Sequence, residues 1–537
     1  MGGARAAGIA AAVGFAVMGV ELTAVRIMAP HFGDSAFVWT NVIGVILVAL
    51  ALGAFLGGRA AAGGDRSRRL STVLCVGGVW VAIVPWLVDP AGNWLVPNDL
   101  ALDAAMAALI RGSLAASTLL FAPAVLFAGM ATPLLVTALV VEGRPVGESS
   151  GRIAAWSTLG SLAGTFATTH VLVPGIGSRF TMFACAALLV GAGCLARFGA
   201  GRALAVLPVL LGLAIPVGFR VPPRTGEHVL AEVESSLQYL RVVRDGATDR
   251  VGSTTRLQIN EGLDSFHSVA IDGQAFTDGR YYDWFAAVPY LRTDGAAVEQ
   301  LDVLSIGAAA GTFERLLSAC FPGARFDSVE LDPTVIALAE DYFGGFPESA
   351  QVFAGIDGRV FVEHVARHYD LVIVDAYERQ IYIPTQVSSR EFFEVVRARL
   401  KPGGVVALNV GGRTFGDAVV NVVGSTVAEV FGEAAIFRVP RSRNFIVVGR
   451  AGASPDPSAL GRVRVDSDPD LAAVVARAAQ RSSWRRVVTT EPVLVDDRPF
   501  LDRLQEQSLE RSLQHPELLA IRGESEPSEA EARAYEA

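Results

Sequence analysis

The chain has 537 residues, of which 51% are hydrophobic and only 18% are charged, and its mean hydropathy is +0.41. This apolar excess argues against an ordinary soluble enzyme. The formal net charge of −9 argues against general nucleic-acid binding through a basic surface, so we expect no nucleic-acid partner. The four cysteines are scattered singly, which predicts neither a disulfide framework nor a metal site.

The apolar residues are concentrated in residues 1–222, which we predict to form a multi-pass transmembrane domain of about seven helices. Uncharged runs of about 20 residues recur there, and each can cross a hydrocarbon core about 30 Å thick. The predicted spans are 7–29, 37–60, 70–90, 114–141, 152–174, 180–197 and 201–219. Residues 100–113 are apolar but short, which leaves seven or eight spans open.

Arginine is concentrated in alternate loops of this region, and by the positive-inside bias these loops face the cytoplasm of the cell membrane. The arginines are Arg59, Arg66, Arg68, Arg69, Arg144, Arg152, Arg197 and Arg202. Seven spans would place the following domain on the outer side, and eight would place it in the cytoplasm. The sequence leaves both open.

Residues 228–295 alternate apolar and polar side chains, as in ESSLQYLRVV and RLQINEG, and predict a small β-hairpin subdomain. In residues 296–515, apolar strands such as LDVLSIG and YDLVIVDAY alternate with helical segments. This alternation predicts an α/β Rossmann-like domain with a parallel sheet. Residues 520–537 are polar and acidic enough to form a disordered tail.

The turn GAAAG follows the first strand of this domain and opens a helix. Gly307 and Gly311 allow the backbone to turn tightly and to approach a ligand at the helix N-terminus. Glu330 ends the next strand about twenty residues later, where a carboxylate can accept both hydroxyls of a ribose. The alternative is that Glu330 and Asp332 only cap the next helix. We favour cofactor binding because the turn and the acid occur in this order.

Two further aspartates follow predicted strands. Asp357, in GIDGR, can accept a hydrogen bond from an adenine amino group, or it can be a turn residue before Gly358. Asp375 ends the strand LVIVD at the edge where open α/β folds bind ligands. Its carboxylate can take a proton from an attacking amine, or it can cap a helix.

Taken together, these segments resemble the spermidine synthase (polyamine aminopropyltransferase) family, in particular its branch fused to a multi-pass membrane region. In the second half the shared segments are ESSLQYLRVV, IDGQ, YYDWFAAVPYL, IGAAAG, VELDP, DGRVFVE, YDLVIVDAY, IPTQVSSREFF, KPGGVVALNV and PVLVDDRPFLDRL. In the first half they are ELTAVRIMAPHFG and WSTLGSLAGTFATTHVLVPGIG. The resemblance covers most of the chain and implies a domain of the class I methyltransferase type.

The resemblance implies polyamine biosynthesis, in which an aminopropyl group passes from decarboxylated S-adenosylmethionine, the co-substrate, to a small-molecule diamine. By position, Gln238 and Asp357 would contact the nucleoside, and Glu330 its ribose. The implied catalytic residues are Asp375 as the acid/base group, Tyr281 beside the substrate channel and Glu378 as a second carboxylate. Besides the amine, the expected partner is the lipid bilayer, and a homodimer stays open.

The sequence departs from the family at the glycine turn, which usually reads GGGDG. Ala310 stands where the family has an aspartate that helps to hold the aminopropyl amine, and the family's Tyr-His or Tyr-Gln pair is Tyr281-Tyr282 here. Losing a charge-assisted hydrogen bond costs about 1.5–3 kcal/mol. Two alternatives therefore stay open: a methyltransferase that uses intact S-adenosylmethionine, and a transporter or sensor that binds a nucleoside or polyamine without turnover. Glu21, inside the first span, motivates the latter.

Overall fold

The computed structural model describes residues 2–33, 35–96, 102–197, 204–214, 220–221, 223, 226–246, 252–260, 266–292, 298, 300–377, 382–465, 468–498, 500–501 and 503–505. The chain divides into two compact units. The first consists of Met1–Arg224 together with Glu232–Leu240 and Asn260–Asp264, and the second of the remaining residues. The predicted tail, 520–537, lies outside the described residues.

The first unit is a bundle of α-helices. They are α1 (Gly3–Phe32), α2 (Ala36–Ala60), α3 (Arg66–Leu95), α4 (Leu102–Leu120), α5 (Ala122–Gly129), α6 (Ala131–Val141), α7 (Val146–Ala167), α8 (Val173–Ala196) and α9 (Leu207–Ala214). Within the described residues, five helical segments are long and apolar enough to cross a membrane. They are Gly3–Phe32, Phe37–Ala60, Arg66–Leu95, Ala122–Val141 and Val146–Ala196. The expected long apolar helices are therefore present, and the number of membrane spans stays a prediction.

The segment Val146–Ala196 includes two of the predicted spans. Its 51 residues contain a π-helical turn, Thr168–Leu172, and a kink at Gly177, whose φ of 74° is not helical. At about 1.5 Å per residue the segment is roughly 75 Å long, more than twice the thickness of a hydrocarbon core. It is therefore long enough for the two spans predicted at 152–174 and 180–197, with the kink between them.

One end of the bundle, called the basic end, gathers the arginines of the alternate loops. Arg197, which follows α8, pairs with Asp65 at the start of α3. Gly3, at the start of α1, lies against the guanidinium of Arg144, which a Cβ on Gly3 would approach to 2.9 Å. The arginines found in or beside these loops are Arg59, Arg66, Arg68, Arg69, Arg144, Arg152 and Arg197.

The opposite end of the bundle holds a cluster of ion pairs. Arg26, near the end of α1, donates to the carbonyl of Ser235 at 2.8 Å and lies 3.6 Å from the carboxylate of Glu234. The backbone N–H of Ser178, just after the kink in α8, donates to Glu234 at 3.2 Å. Arg220 pairs with Glu234 at 2.8 Å. Arg220 therefore lies at the end of the helical unit opposite the basic end.

Helices α1 and α7 pack closely because glycines lie at their contact. Gly160 and Gly164 are four residues apart, a spacing that allows helix backbones to approach each other in membrane proteins. A Cβ on Gly160 would lie 2.0 Å from the carbonyl oxygen of Ala11, and one on Gly164 would lie 2.5 Å from that of Phe15. Only glycine fits at these two positions.

Four strands form a small sheet. Their order is β1 (Glu227–Glu234), β2 (Tyr239–Asp245), β3 (Thr254–Ile259) and β4 (Ser268–Ile271). Strands β3 and β4 are antiparallel, with Thr254 opposite Ile271. All four strands begin within or next to the range 228–295, for which the sequence predicts a β-hairpin subdomain.

The second unit is built around an eight-stranded mixed sheet. Its strands are β5 (Leu301–Ile306), β6 (Ala324–Glu330), β7 (Ala350–Ala354), β8 (Tyr369–Val374), β9 (Leu400–Gly411), β10 (Ala434–Arg438), β11 (Asn444–Arg450) and β12 (Trp484–Val487). The order is β12-β10-β11-β9-β8-β5-β6-β7. Strands β5 to β9 pair in parallel, as predicted. The prediction of a parallel sheet is wrong for β10, β11 and β12, which pair antiparallel. A short turn joins β10 to β11, and a parallel pair would need a long crossover.

Helices cover both faces of this sheet. They are α10 (Tyr281–Trp284), α11 (Pro289–Arg292), α12 (Thr312–Cys320), α13 (Pro333–Tyr342), α14 (Gly358–His364), α15 (Arg390–Arg399), α16 (Ala418–Phe431) and α17 (Pro469–Ala478). Successive strand residues point to opposite faces. Val303 packs in one core with Phe313 of α12, and Leu304 packs in the other with Phe392 of α15. Because β5, β6 and β8 are parallel, the residues that follow them meet at one edge of the sheet.

Candidate active site

The glycine turn connects β5 to α12 at the carboxyl edge of the sheet. Gly307 and Gly311 have φ angles of 81° and 76°, which favour glycine. A Cβ on Gly307 would lie 2.5 Å from the backbone oxygen of Asp375, so the turn touches the segment after β8. Ala309 also has a positive φ, 46°, a conformation that costs a non-glycine residue about 1–2 kcal/mol. The two glycines thus provide the tight turn before a helix that the sequence predicts.

Glu330 ends β6 beside this turn. Its Oε2 accepts the N–H of Ala309 and its Oε1 accepts the N–H of Asp332, both at 2.9 Å. The helix α13 is capped by Asp332, whose side chain accepts the N–H of Thr334 at 3.0 Å. Burial raises the pKa of Glu330. Its carboxylate oxygens have further lone pairs for ribose hydroxyls, and that role stays a prediction.

Asp375 follows β8 directly, and two side chains hold its carboxylate. The hydroxyl of Tyr281 donates to Oδ2 at 2.7 Å, and the amide of Asn409 on β9 donates to Oδ1 at 2.8 Å. The Asn409 side-chain oxygen accepts from the amide of Asn444 on β11 at 2.9 Å. The carboxylate is therefore oriented from two sides by neighbouring elements, and its remaining lone pairs can contact a substrate.

The protonation states of this pair suit proton transfer. Burial raises the pKa of Asp375 to about 6, and the hydrogen bonds from Asn409 and Tyr281 limit that rise. At pH 7 the carboxylate is mostly ionised and can accept a proton. Burial, together with the negative charge of Asp375, raises the pKa of Tyr281 well above its usual value. The Tyr281 hydroxyl therefore keeps its proton and stays a donor.

An aromatic cluster fixes the position of Tyr281. Its ring stacks on that of Tyr282 with the centroids 3.9 Å apart, and Tyr282 packs edge-on against Phe313 at 5.1 Å. Phe313 in turn packs against Phe285 at 4.7 Å. The sequence predicts only Tyr281 as a site residue. The sequence does not indicate that the two phenylalanines support the site, because apolar residues in amphipathic helices are ordinarily part of the core.

Asn409 and Asn444 are site residues that the sequence-based predictions omit. Asn409 is buried and is the polar residue in the apolar run VVALNV, where a side-chain amide needs a hydrogen-bond partner. The sequence alone could therefore have indicated Asn409 as a candidate site residue. Asn444 begins β11, and its amide donates to Asn409 on β9. These two strands are neighbours in the sheet but do not follow each other in the sequence. No local pattern could reveal that contact.

Asp357 caps helix α14. Its Oδ1 accepts the N–H groups of Arg359 at 2.9 Å and Val360 at 3.0 Å. These two bonds agree with the alternative interpretation, in which Asp357 is a structural residue before Gly358. It also leaves Oδ2, which makes no hydrogen bond within the described part of the chain, for an adenine amino group. The adenine contact stays a prediction.

Two other predicted residues cannot be assigned to this site. Gln238 lies in the first unit, in a turn where its backbone N–H donates to the Ser235 hydroxyl at 2.9 Å. Asp375 and Glu330 belong to the second unit, so the contact of Gln238 with the nucleoside stays a prediction. Glu378 lies outside the described residues.

Ala310 is fully buried within the glycine turn. Its N–H donates to the hydroxyl of Ser268 on β4 at 2.9 Å, and its carbonyl accepts from the guanidinium of Arg315 at 2.5 Å. The turn therefore has a methyl group where the resemblance implies a carboxylate.

Comparison with known proteins finds a family model that matches the part of the chain that holds this geometry. Residues 290–446 match the spermine/spermidine synthase domain. The C-terminal part of the chain carries a spermine/spermidine synthase domain. The synthase domain contains the glycine turn, Glu330, Asp357, Asp375 and Asn409, so the match covers most of the candidate site.

Curated relatives are similar over the same part of the chain. A probable polyamine aminopropyl transferase from Bifidobacterium longum (strain NCC 2705) is 33% identical over 219 residues, 40% of this chain and 45% of that protein. A polyamine aminopropyltransferase from Vibrio vulnificus (strain CMCP6) is 30% identical over 164 residues, 29% of this chain and 53% of that protein. The chain thus spans about half the length of the curated relatives it matches.

A solved structure also resembles the chain. It is the crystal structure of a probable spermidine synthase from Corynebacterium glutamicum, with 19% sequence identity and a TM-score of 0.38. The similarity covers 52% of this chain and 93% of that chain.

Proposed function

We propose that the chain is a membrane-bound, spermidine synthase-like transferase that moves an aminopropyl group from decarboxylated S-adenosylmethionine to a diamine or polyamine. The main support is Asp375, a carboxylate that Tyr281 and Asn409 orient at the edge where open α/β sheets bind ligands. The synthase domain and the relatives named polyamine aminopropyltransferases support the same chemistry.

The transfer needs a neutral amine. The amine nitrogen attacks the methylene carbon next to the sulfonium, a C–N bond forms, and the C–S bond breaks with its electron pair passing to sulfur. Methylthioadenosine leaves, and the nitrogen gives up one proton. Asp375 takes this proton, because its pKa of about 6 makes it a carboxylate at neutral pH that is more basic than an ordinary aspartate.

The described residues offer groups for the adenosyl part of the co-substrate. The Glu330 carboxylate would hold the ribose, and the free oxygen of Asp357 would accept from the adenine. Gly307 and Gly311 add no side chains of their own to the turn. In the proposal, Gln238 adds a nucleoside contact and Glu378 a second carboxylate.

The proposed function predicts that turnover depends on Asp375. Purified full-length protein in detergent, given decarboxylated S-adenosylmethionine and a panel of di- and polyamines, should release methylthioadenosine. Asp375→Asn should lower kcat/KM by about 10²–10⁴-fold, the usual contribution of a general base. The control Asp456→Asn removes a partly exposed carboxylate that pairs with Arg486, and it should keep the activity. Absence of release with every amine would contradict the proposal.

A second candidate is a methyltransferase that uses intact S-adenosylmethionine. Ala310 favours it, because a methyl group there places no negative charge against a carboxylate-bearing cofactor. The same assay separates the candidates. Formation of S-adenosylhomocysteine from intact S-adenosylmethionine, without release of methylthioadenosine from the decarboxylated form, would support the methyltransferase.

We also propose that the helical unit lies in the cell membrane. Large apolar side chains are exposed on α2, among them Leu47 at 58% and Phe55 at 59%, and on α7, where Phe166 is 57% exposed. An apolar surface of this kind is unfavourable in water and normal against lipid. By the positive-inside bias the basic end faces the cytoplasm.

A further inference from the structure

A segment near the end of the described part of the second unit contacts the helices that follow β7 and β8. We call residues 494–498 the C-terminal strap. Leu494 is fully buried and donates its N–H to the hydroxyl of Thr426 at 3.0 Å, and its carbonyl accepts from the N–H of Arg390 at 2.8 Å. The N–H of Asp496 donates to the carboxylate of Glu391 at 3.1 Å. The strap is therefore attached to α15 and α16 through its backbone.

Arg359 links the strap to the site. Its guanidinium binds both carboxylate oxygens of Asp496, at 2.7 and 2.6 Å, in the bidentate geometry that makes arginine–carboxylate pairs strong. The same guanidinium donates to the carbonyl of Gln386 at 3.3 Å and contacts the Ser389 hydroxyl at 3.4 Å. The Arg359 side chain thus connects three separate segments: α14, the loop before α15, and the strap.

The backbone of Arg359 continues this connection to the nucleoside side of the site. Its N–H donates to Oδ1 of Asp357 at 2.9 Å, and this bond fixes the orientation of the Asp357 carboxylate. The guanidinium side chain is only 19% exposed, because it is enclosed by Asp496 and Glu363. Arg359 therefore connects the C-terminal strap to Asp357, through its side chain on one side and its backbone on the other.

We infer that Arg359 and Asp496 are positioning residues, through which the C-terminal strap holds Asp357 in place for the adenosyl group. The inference rests on the proposed function, because it assumes that Asp357 contacts the nucleoside. Neither residue is proposed to touch the substrate. Loss of the pair should therefore weaken nucleoside binding and leave the chemical step nearly unchanged.

The test compares Asp496→Asn and Arg359→Gln with the wild-type full-length protein in detergent. Each variant should raise the KM for decarboxylated S-adenosylmethionine and the Kd for methylthioadenosine by about 5–20-fold, with kcat changed less than about 3-fold. In the double variant the effect should equal that of either single variant, because the pair acts as a unit. The control Asp456→Asn removes another partly exposed aspartate that pairs with an arginine, and both constants should stay unchanged.

Unchanged Kd values in both single variants, or effects that add in the double variant, would overturn the inference. A thermal unfolding curve for each variant shows whether it is folded. Binding of methylthioadenosine is measured by calorimetry and needs no turnover. If the wild-type protein binds this nucleoside but releases none from the co-substrate, the proposed transfer fails while the positioning role can still be tested.

Discussion

A carboxylate in an enclosed site is unfavourable unless hydrogen bonds support its charge. Asp375 has two such donors, Tyr281 and Asn409, and its pKa is still raised to about 6 because burial outweighs them. A stronger set of donors would stabilise the anion further and make it a poorer base. The site therefore combines a fixed orientation with moderate basicity.

Removal of one donor should shift the pH dependence of the reaction. The Tyr281 hydrogen bond lowers the pKa of Asp375, so in Tyr281→Phe that pKa should rise above about 6. The base must be ionised, so activity is present above this pKa and is lost as the pH falls through it. The acidic limb of kcat/KM, measured from about pH 5 to 9, should move to higher pH.

Tyr369→Phe is the matched control for this shift. Tyr369 also donates to a carboxylate, that of Asp327, at 2.7 Å, but it begins β8 and lies at the opposite edge of the sheet. Loss of the Tyr369 hydroxyl should leave the acidic limb of kcat/KM at the same pH. A limb that does not move in Tyr281→Phe would show that Asp375 is not the titrating base.

Sequence reasoning selected those candidate residues that follow a strand, because a polar residue after an apolar run is visible locally. Asp375, Glu330 and the glycine turn are of this kind. Asn409 and Asn444 act from neighbouring strands, and their role depends on strand order. Glu330 illustrates a further limit: both its oxygens bind backbone N–H groups, a detail that no spacing encodes.

At the scale of elements, the periodic patterns predicted the parallel half of the sheet and missed the antiparallel half. A helix lies between each two consecutive strands from β5 to β9, as crossover connections between parallel strands require. Strands β10 and β11 are both buried and apolar, so their sequences resemble those of parallel strands. Only the short connection between them shows the difference.

The contact of α1 with α7 gives a prediction at this scale. Gly160→Val should separate the two helices, because even the Cβ would lie 2.0 Å from the Ala11 carbonyl oxygen. The yield of monodisperse full-length protein in detergent should fall several-fold, and its unfolding temperature should fall as well. Gly151→Val, on the same helix, is the control, since its Cβ meets no atom within 4 Å among the described residues.

Normal yield and stability of Gly160→Val would mean that α1 and α7 do not depend on close backbone packing. The comparison with Gly151→Val removes the general effect of valine on helix formation, because both glycines lie inside α7. The difference between the two variants therefore measures the helix contact alone.

At the scale of the whole molecule, the bundle has one basic end, and Arg220 lies at the other end. If the basic end faces the cytoplasm, the end that holds Arg220 faces outward, and we predict that the synthase domain lies on that side as well. The sequence alone left this open because it did not fix the number of crossings. The ion pairs of Arg197 and Arg220 lie at opposite ends of the bundle, and the side of the membrane that each end faces stays a prediction.

Labelling of single cysteines should test this orientation in intact cells. In a full-length protein whose four native cysteines are replaced, a membrane-impermeant maleimide should label Ala453→Cys, an exposed position of the second unit. Ala62→Cys, in the loop between α2 and α3, should be labelled only after the cells are permeabilised. The reverse pattern would place the synthase domain in the cytoplasm.

The unequal charge of the two bundle ends also affects how the protein behaves in sealed vesicles. Polyamines are cations and do not cross lipid readily. If the proposed transfer is right, molecules whose synthase domain points into the vesicle would therefore be silent in an assay from outside, and a permeabilising detergent would reveal them. The fraction of activity that appears only after permeabilisation measures how many molecules have their synthase domain inside the vesicle. That fraction indicates how strongly the arginines of the basic end favour one orientation.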